Sequence, residues 1–419
     1  MISKEQYAEI LGLESPWYVK SVKADLESNQ VNVSISHKTR KTFPCPFCKR
    51  PSPVYDYQRN KKWRHLDAWQ LKTYIIVDIP RVNCREHGVH QVAVSWAEPR
   101  SRFTALFEAE VIAWLKEANI TAVARLTRLT WDEVDGIRSR AVERGLKRRK
   151  QKPLKHVGID ETSYRKRHEY VTVINDRDTG VVIDVLDHRR AEDLCQYFQL
   201  LDKESLAEIQ SVTMDMWDPY IAAVKSCVPG ADEKICFDHF HVSQYFLKAV
   251  DKVRAQERRQ LEKALGYNPL KNTKHQWLKN SVRMDNRGRV DFMKLTRSSL
   301  KTARAWAIKE TASKIWKYVS IGWAGKAWKS LLAWIARCRL HPVKKVGKTI
   351  KKYLWGILNA IRLKANNSLA ESLNSRIQKL KKYSCGFRSR KRFREMILFH
   401  LGGLDLFPKL KVDFYHTCS

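Results

Sequence analysis

An α/β core interrupted by a large all-helical insertion, with two small domains ahead of it, is the fold class the sequence predicts. Three observations carry that expectation. Residues 151–242 hold three strand-like runs, then helix, strand, helix, strand, the order of an RNase H-like core. Three of those strands end on an aspartate, at Asp160, Asp215 and Asp238. From Phe246 to about Leu363 the pattern is helical throughout and holds seven of the chain's 14 tryptophans, enough apolar side chain for a packed module. With 419 residues the chain is also too long for one ordinary core.

Charge sets the class of partner. Lysine and arginine number 79 against 44 acids, a formal net charge of +35. So basic a folded chain repels itself unless it meets a polyanion, and nucleic acid is the usual one. No apolar run approaches bilayer-spanning length, and neither a lipidation motif nor an amphipathic anchor is present. The start, Met1-Ile2-Ser3-Lys4, lacks the apolar region of a signal peptide. The expectation is a cytoplasmic protein, where the cluster of Cys45, Cys48 and Cys84, out of nine cysteines, favours metal over disulfide.

Residues 1–98 read as a zinc-binding domain. A short helix at Gln6–Leu11 and small antiparallel strands such as Val31–Ile35 lead to Cys45-Pro46-Phe47-Cys48. A second half-site follows at Cys84-Arg85-Glu86-His87. Two intervening residues let one turn present two ligands to one ion. Three cysteines and a histidine complete a closed tetrahedral site, structural rather than catalytic. His90 is a rival fourth ligand and His65 a weaker one; two unrelated cysteine turns are the bland alternative. The other six cysteines are scattered singly.

Residues 99–150 read as a helix-turn-helix with a basic linker. Phe103–Lys116 and 119–126 have helical period, and Thr130 with Glu133 makes a capping box for a third helix. That helix would turn Val134, Ile137 and Val142 inward and Arg138, Arg140 and Arg144 outward, into a major groove. Arg148, Arg149 and Lys150 continue the basic run as phosphate contacts. A helical linker without groove contact is the alternative.

The core then begins. The strands Lys155–Asp160, Tyr170–Asn175 and Val181–Leu186 are joined by Asp176-Arg177-Asp178-Thr179-Gly180, whose glycine suits a hairpin. An amphipathic helix at Ala191–Leu201, a strand at Ile209–Asp215, a helix at Trp217–Cys227 and a strand at Lys234–Asp238 complete its first part. The insertion occupies 243–362. Its lysines 344, 345, 348, 351 and 352 fall at helical spacing, either solvated surface or a DNA track. Residues 363–402 return to the core on a helix with the apolar stripe Leu369, Leu373, Ile377 and Leu380. Glu371 on that helix is by spacing the capping-box partner of Ser368. The basic residues after it, among them Lys381, Lys382, Arg388 and Arg390, raise a catalytic alternative for a phosphodiester site. Residues 403–419 form an uninformative tail.

Phosphodiester chemistry needs an activated oxygen nucleophile and a stabilised leaving oxygen, which two divalent ions supply together. Magnesium or manganese takes carboxylate oxygens and water. Asp160, Asp215 and Glu371 fit the three ligand roles, with Asp160 as the bridge. Glu161 is expected on the other strand face, and Asp218 and Asp184 as local supports. Asp238 and His241 are either a base- or phosphate-orienting pair or a structural one.

The motifs Val157-Gly158-Ile159-Asp160-Glu161, Met214-Asp215-Met216-Trp217-Asp218-Pro219-Tyr220, Phe237-Asp238-His239-Phe240-His241 and Asn367–Asn374 resemble the transposases of the bacterial ISL-three insertion-sequence family. Gly386-Phe387-Arg388, Phe393-Arg394 and the front cysteines extend the resemblance over nearly the whole chain. It implies a zinc-binding front, a helix-turn-helix and a DDE domain with a helical insertion. It implies metal-dependent cutting and joining of double-stranded DNA at the inverted-repeat ends of an element, by a triad at Asp160, Asp215 and Glu371. Asp238 and His241 resemble the aspartate–histidine motif of related transposases, with Asn374 beside them as a positioning residue. His87 stands where a cysteine is common. A homodimer bridging two ends is the expected assembly.

Overall fold

The computed structural model describes residues 3–150, 152–165, 169–265, 269–279, 292–365 and 368–409; the side chains of 265 and 368–371 lie outside that description. The chain divides into two compact units. One holds residues up to Arg149 with a segment starting at Leu404, and the other runs from Lys150 to Gly403.

The first unit opens with α1 (Lys4–Ile10), capped by Ser3 and Gln6 in a reciprocal box. Its sheet uses β1 (Trp17–Asp25), β2 (Gln30–His37), β3 (Thr42–Pro44), β4 (Pro51–Ala68), β5 (Leu71–Cys84) and β6 (Gly88–Gln91). The order is β1-β2-β5-β4-β3, with β6 also on β5. β1 and β2 pair antiparallel, as the sequence suggested, whereas β2 runs parallel to β5. Alternation along β2 and β5 buries Val31, Val33, Ile35, Ile75, Val77 and Ile79 around Trp63 and Trp96. Three helices follow, α2 (Ala105–Glu117), α3 (Ile120–Thr127) and α4 (Trp131–Arg148). The capping box of Thr130 and Glu133 is present at the start of α4.

Residues 404–409 join this unit rather than standing apart as a tail. The Leu406 carbonyl accepts from Arg144 at 2.5 Å and the Phe407 carbonyl from Arg148 at 2.6 Å. Gly145 permits the approach: a Cβ there would lie 2.7 Å from the Leu404 Cβ.

The second unit is built on β7 (His156–Arg165), β8 (Glu169–Asp176), β9 (Val182–Leu186), β10 (Ser211–Met214) and β11 (Ile235–Phe237), in the order β11-β10-β7-β8-β9. β7, β8 and β9 are antiparallel, while β10 and β11 run parallel to β7. Gly180 turns the β8–β9 corner at φ 71°. β10 and the edge strand β11 are buried along their whole length, as strands covered on both faces are. The connections carry α5 (Ala191–Gln199), α6 (Lys203–Glu208), α7 (Asp218–Cys227) and α8 (Ala231–Lys234).

The insertion contributes α9 (His239–Leu265), α10 (Lys274–Leu278), α11 (Lys301–Ile315), α12 (Ile321–Arg337) and α13 (His341–Arg362). Its tryptophans are mainly core: Trp277 and Trp328 are fully buried and Trp306, Trp316, Trp334 and Trp355 pack against the same cluster, whereas Trp323 is exposed. The chain returns along α14 (Ser368–Tyr383) and α15 (Arg390–Leu401). Arg394 of α15 pairs with Asp184 of β9 at 2.8 Å, which gives that strand acid its supporting role.

Candidate functional site

Strand register builds the site. Thr213 lies opposite Gly158 on β7, and Met214 opposite Phe237 on β11. Continuing each pairing puts Asp160, Asp215 and Asp238 at one level on three neighbouring parallel strands. The three line one pocket with Gly158, Asn175, Thr213 and His241. Gly158 leaves room for the Asn175 side chain of β8, whose Oδ1 a Cβ at that position would meet. Asp160 Oδ1 accepts from the Glu161 amide at 2.7 Å, and its Oδ2 accepts from the Asn374 side-chain amide on α14. Four residues on, Gln378 donates to Thr162 at 2.9 Å, and the Lys381 ammonium donates to the Ser163 carbonyl at 2.6 Å. One polar face of α14 is thus laid along β7.

His241, in the first turn of α9, sets its Nε2 2.8 Å from Asp215 Oδ1 and 3.8 Å from Asp238 Oδ2. Burial draws its pKa down, but the hydrogen bond to Asp215 and the fields of Asp215, Asp238 and Asp160 outweigh that and lift it to about 9. Burial raises Asp160 above the usual carboxylate range and Asp238 to about 6. Three neighbouring carboxylates, Asp238 buried and Asp160 and Asp215 half-buried, repel one another, and a cation offsets that cost. Their hard oxygen donors suit magnesium or manganese. Glu161 leaves the group and pairs with Arg189 at 2.5 Å. Asp218 likewise faces elsewhere, accepting from Lys352 at 2.5 Å and Tyr353 at 2.8 Å. Glu371 falls on α14, but its side chain lies outside the described residues.

The front cluster has a different chemistry. Ligand atoms of Cys45, Cys48, Cys84 and His87 lie within 4.8 Å of one another. Cys48 and Cys84 sulfurs are 3.7 Å apart, and His87 Nδ1 is 3.6 Å from Cys84 and 3.9 Å from Cys45. A tetrahedral zinc with ordinary bond lengths separates two sulfurs by about 3.8 Å and a sulfur from a nitrogen by about 3.6 Å. The donor set fits. The hydrogen bond from His87 lowers Cys84 to about 6, toward the thiolate that binds metal. The rival histidines are engaged elsewhere: His90 bonds the His87 carbonyl and packs on Phe47, and buried His65 shares a hydrogen bond with Thr104 at 2.9 Å.

The arginines of α4 do not face outward. Arg138 is 1% exposed and pairs with Asp135 at 2.6 Å. Arg140 bonds Glu108, Arg144 bonds Glu98 and Glu108, and Arg148 pairs with Asp405 at 3.0 Å. Arg149 is half-buried, while Lys150, Lys382 and Arg388 are exposed. Arg390 lies over the Tyr164 ring and 3.5 Å from Glu169. Sequence reasoning missed Arg189 and Asn175, and placed Gln378 on the helical face of Glu371 and Asn374 without giving it a role. Only Gln378 carried a signal, one turn beyond Asn374 on the same helical face.

Three family models match in chain order: a zinc-finger of transposases IS204/IS1001/IS1096/IS1165 over residues 41–87, a helix-turn-helix domain of transposase family ISL3 over 92–142, and an ISL3 transposase (DDE) domain over 157–397. The chain is 28% identical over 387 residues to the transposase for insertion sequence element IS1557 of Mycobacterium tuberculosis, covering 86% of each. It is 23% identical over 358 residues to the transposase for IS1001 of Bordetella parapertussis, covering 85% of this chain and 88% of that one. Among the described residues no helix is long and apolar enough to cross a membrane. The DDE model alone spans more than half of the chain, and the chain belongs to the ISL3 family of transposases, with a zinc-finger front and a DNA-binding helix-turn-helix.

Proposed function

We propose that this transposase cuts and joins DNA at the inverted-repeat ends of its own element, with Asp160, Asp215 and Glu371 as metal-binding carboxylates of an RNase H-like core. The observation that carries the reading is the common level of Asp160, Asp215 and Asp238 on adjacent parallel strands. The strand order β11-β10-β7-β8-β9, with three antiparallel strands followed by two parallel ones, supports the fold assignment. Glu371 belongs to α14, and the hold of Asn374, Gln378 and Lys381 of that helix on β7 supports reading it as the third carboxylate.

Divalent magnesium or manganese would activate the attacking oxygen and stabilise the leaving one. The protein's own groups divide the remaining work. Asp160 and Asp215 present oxygens toward the pocket. His241, protonated beside Asp215, offers positive charge to a phosphate and keeps the carboxylates from repelling each other. Asn374 fixes the rotamer of Asp160. Two copies, each holding one element end, would make the working assembly.

Asp160→Ala should abolish nicking and joining of an element-end duplex in magnesium or manganese while leaving its binding intact. Strand transfer by that variant would sink the triad assignment. Nicks without joined products from the wild type would indicate a nuclease, and binding with no products a regulator.

The front cluster is read as one structural zinc per chain. Metal analysis should return one zinc, and Cys45→Ser should lose it; an unchanged zinc content in that variant would remove Cys45 from the ligand set.

A further inference from the structure

Between Glu310 and Glu371 the sequence contains no aspartate or glutamate, but 13 lysines and arginines. The helices α12 and α13 lie wholly inside this stretch. On α13, Lys344, Lys345, Lys348, Lys351 and Lys352 are all exposed, and Val343, Val346, Gly347, Ile350, Tyr353 and Ile357 are buried. At 3.6 residues per turn the five lysines fall within about a third of the helix circumference, opposite the apolar side. Lys352 alone of the five is tied to a carboxylate among the described residues, that of Asp218, three positions past Asp215. Lys352 thus meets the start of α7, the helix that follows Asp215, and the other four lysines lie on the turns of α13 before it.

That face is also rigidly placed. Asn359, near the end of α13, donates to the Ile235 carbonyl of β11 at 3.0 Å and to the Asp232 carbonyl at 2.7 Å. Gly356 lies so close to the Phe237 ring that a Cβ would meet it at 2.4 Å. β11 is the strand that runs into Asp238. A helix docked in this way holds its lysines at a fixed distance from the three aspartates.

We propose that Lys344, Lys345, Lys348 and Lys351 form a phosphate track that guides one DNA strand to the carboxylate pocket. This deepens the reading of the site as a DNA-processing one and rests on it. From Lys344 to Lys352 the helix rises about 12 Å. One strand of a duplex presents a phosphate about every 3.4 Å along the axis, so three or four phosphates match that length. A second copy of this face is repelled, because no acid interrupts it. A membrane surface lacks the apolar partner it needs, because the apolar side of α13 is buried.

The test is the salt dependence of binding by the full chain to a random-sequence duplex, which needs no knowledge of the element ends. Each phosphate contact contributes about 0.9 to the slope of log binding constant against log salt. Changing Lys344, Lys345, Lys348 and Lys351 together to Gln should lower the slope by about 2 to 4. The same four changed to Arg should retain it. The control removes equal charge from exposed positions on α9, with Lys248, Lys252, Arg259 and Lys263 changed to Gln, and should leave the slope within about one of the wild type. A fall of less than about one in the α13 variant, or an equal fall in the α9 control, overturns the track. So does loss of binding to anionic lipid vesicles with the DNA slope unchanged. None of these outcomes bears on the Asp160 test, which reads products rather than salt dependence.

Discussion

Two helices of this molecule carry rows of basic residues that meet opposite fates. The arginines of α4 turn inward and are consumed by carboxylates: Arg138 by Asp135, Arg140 by Glu108, and Arg144 by Glu98 and Glu108. The lysines of α13 stay in water, and of the five only Lys352 has an acidic partner among the described residues. The difference follows from the side chains. A guanidinium is planar, weakly hydrated and able to bond two carboxylates at once, so it tolerates the interior when paired. An ammonium is a strongly hydrated point charge that keeps its head in solvent. Density of positive charge on a helix therefore does not by itself mark a DNA-facing surface. The identity of the cation, and the acids within reach of it, decide.

The sharpest way to break this comparison is at Arg144. Its guanidinium bonds Glu108, which is 1% exposed, as well as Glu98 and the Leu406 carbonyl. Arg144→Leu leaves Glu108 with one fewer cation and the carbonyl without its donor. Removing one partner of a buried ion pair costs about 3–5 kcal/mol. Hydrogen exchange of the α4 amides in the intact chain reads that loss as easier opening of the first unit. Amides protected as in the wild type would mean that Arg144 is a surface residue after all. Arg144→Lys should recover only part of the loss, since one ammonium does not reproduce the fork.

A smaller effect tests the same interior by pH. His65 lies beneath α2, bonded to Thr104, and burial together with the charge of Arg64 lowers its pKa to about 4. Unfolded, it titrates near 6.5. Between those values the unfolded chain binds a proton that the folded one excludes. Stability from this group is thus fully present above about 6.5 and is lost as pH falls toward 4. The loss is on the order of 3 kcal/mol. His65→Asn should remove that slope from the exchange-derived stability of the first unit. A slope unchanged in the variant would assign it to another group.

These residues also show which parts were legible from sequence. The carboxylate edge was, because a strand ending on Asp, repeated at 160, 215 and 238, needs only a strand order to become a site. The cluster of Cys45, Cys48, Cys84 and His87 was legible because the spacing within each half-site is local. The fates of Arg140 and Arg144 were not. Their partners sit 32 to 46 residues earlier, at Glu98 and Glu108, and the Leu406 carbonyl sits 262 residues later. No helical pattern in α4 encodes acids on other elements. The length of β4 was also hidden, since the basic run Arg59–Arg64 interrupts the alternation that marks a strand. Tertiary pairing with β5 along most of its length settles it instead.

The least effect is expected on the other side of the comparison, and it is the most discriminating. If the lysines of α13 are solvated, replacing Lys344, Lys345, Lys348 and Lys351 by Gln removes no buried partner and no packed surface. Exposed substitutions of this kind change stability by less than about 0.5 kcal/mol. Relieving like charges at adjacent turns would even be slightly favourable. Amide exchange along α13 should therefore match the wild type, with Ile350 and Tyr353 as protected as before. A loss above about 1 kcal/mol would show that the methylene stems cover apolar surface and contribute to packing. The lysines would then resemble the arginines of α4, with their side chains serving the fold. Stability unchanged while DNA binding weakens would leave phosphate as the partner that these side chains lack in the isolated chain.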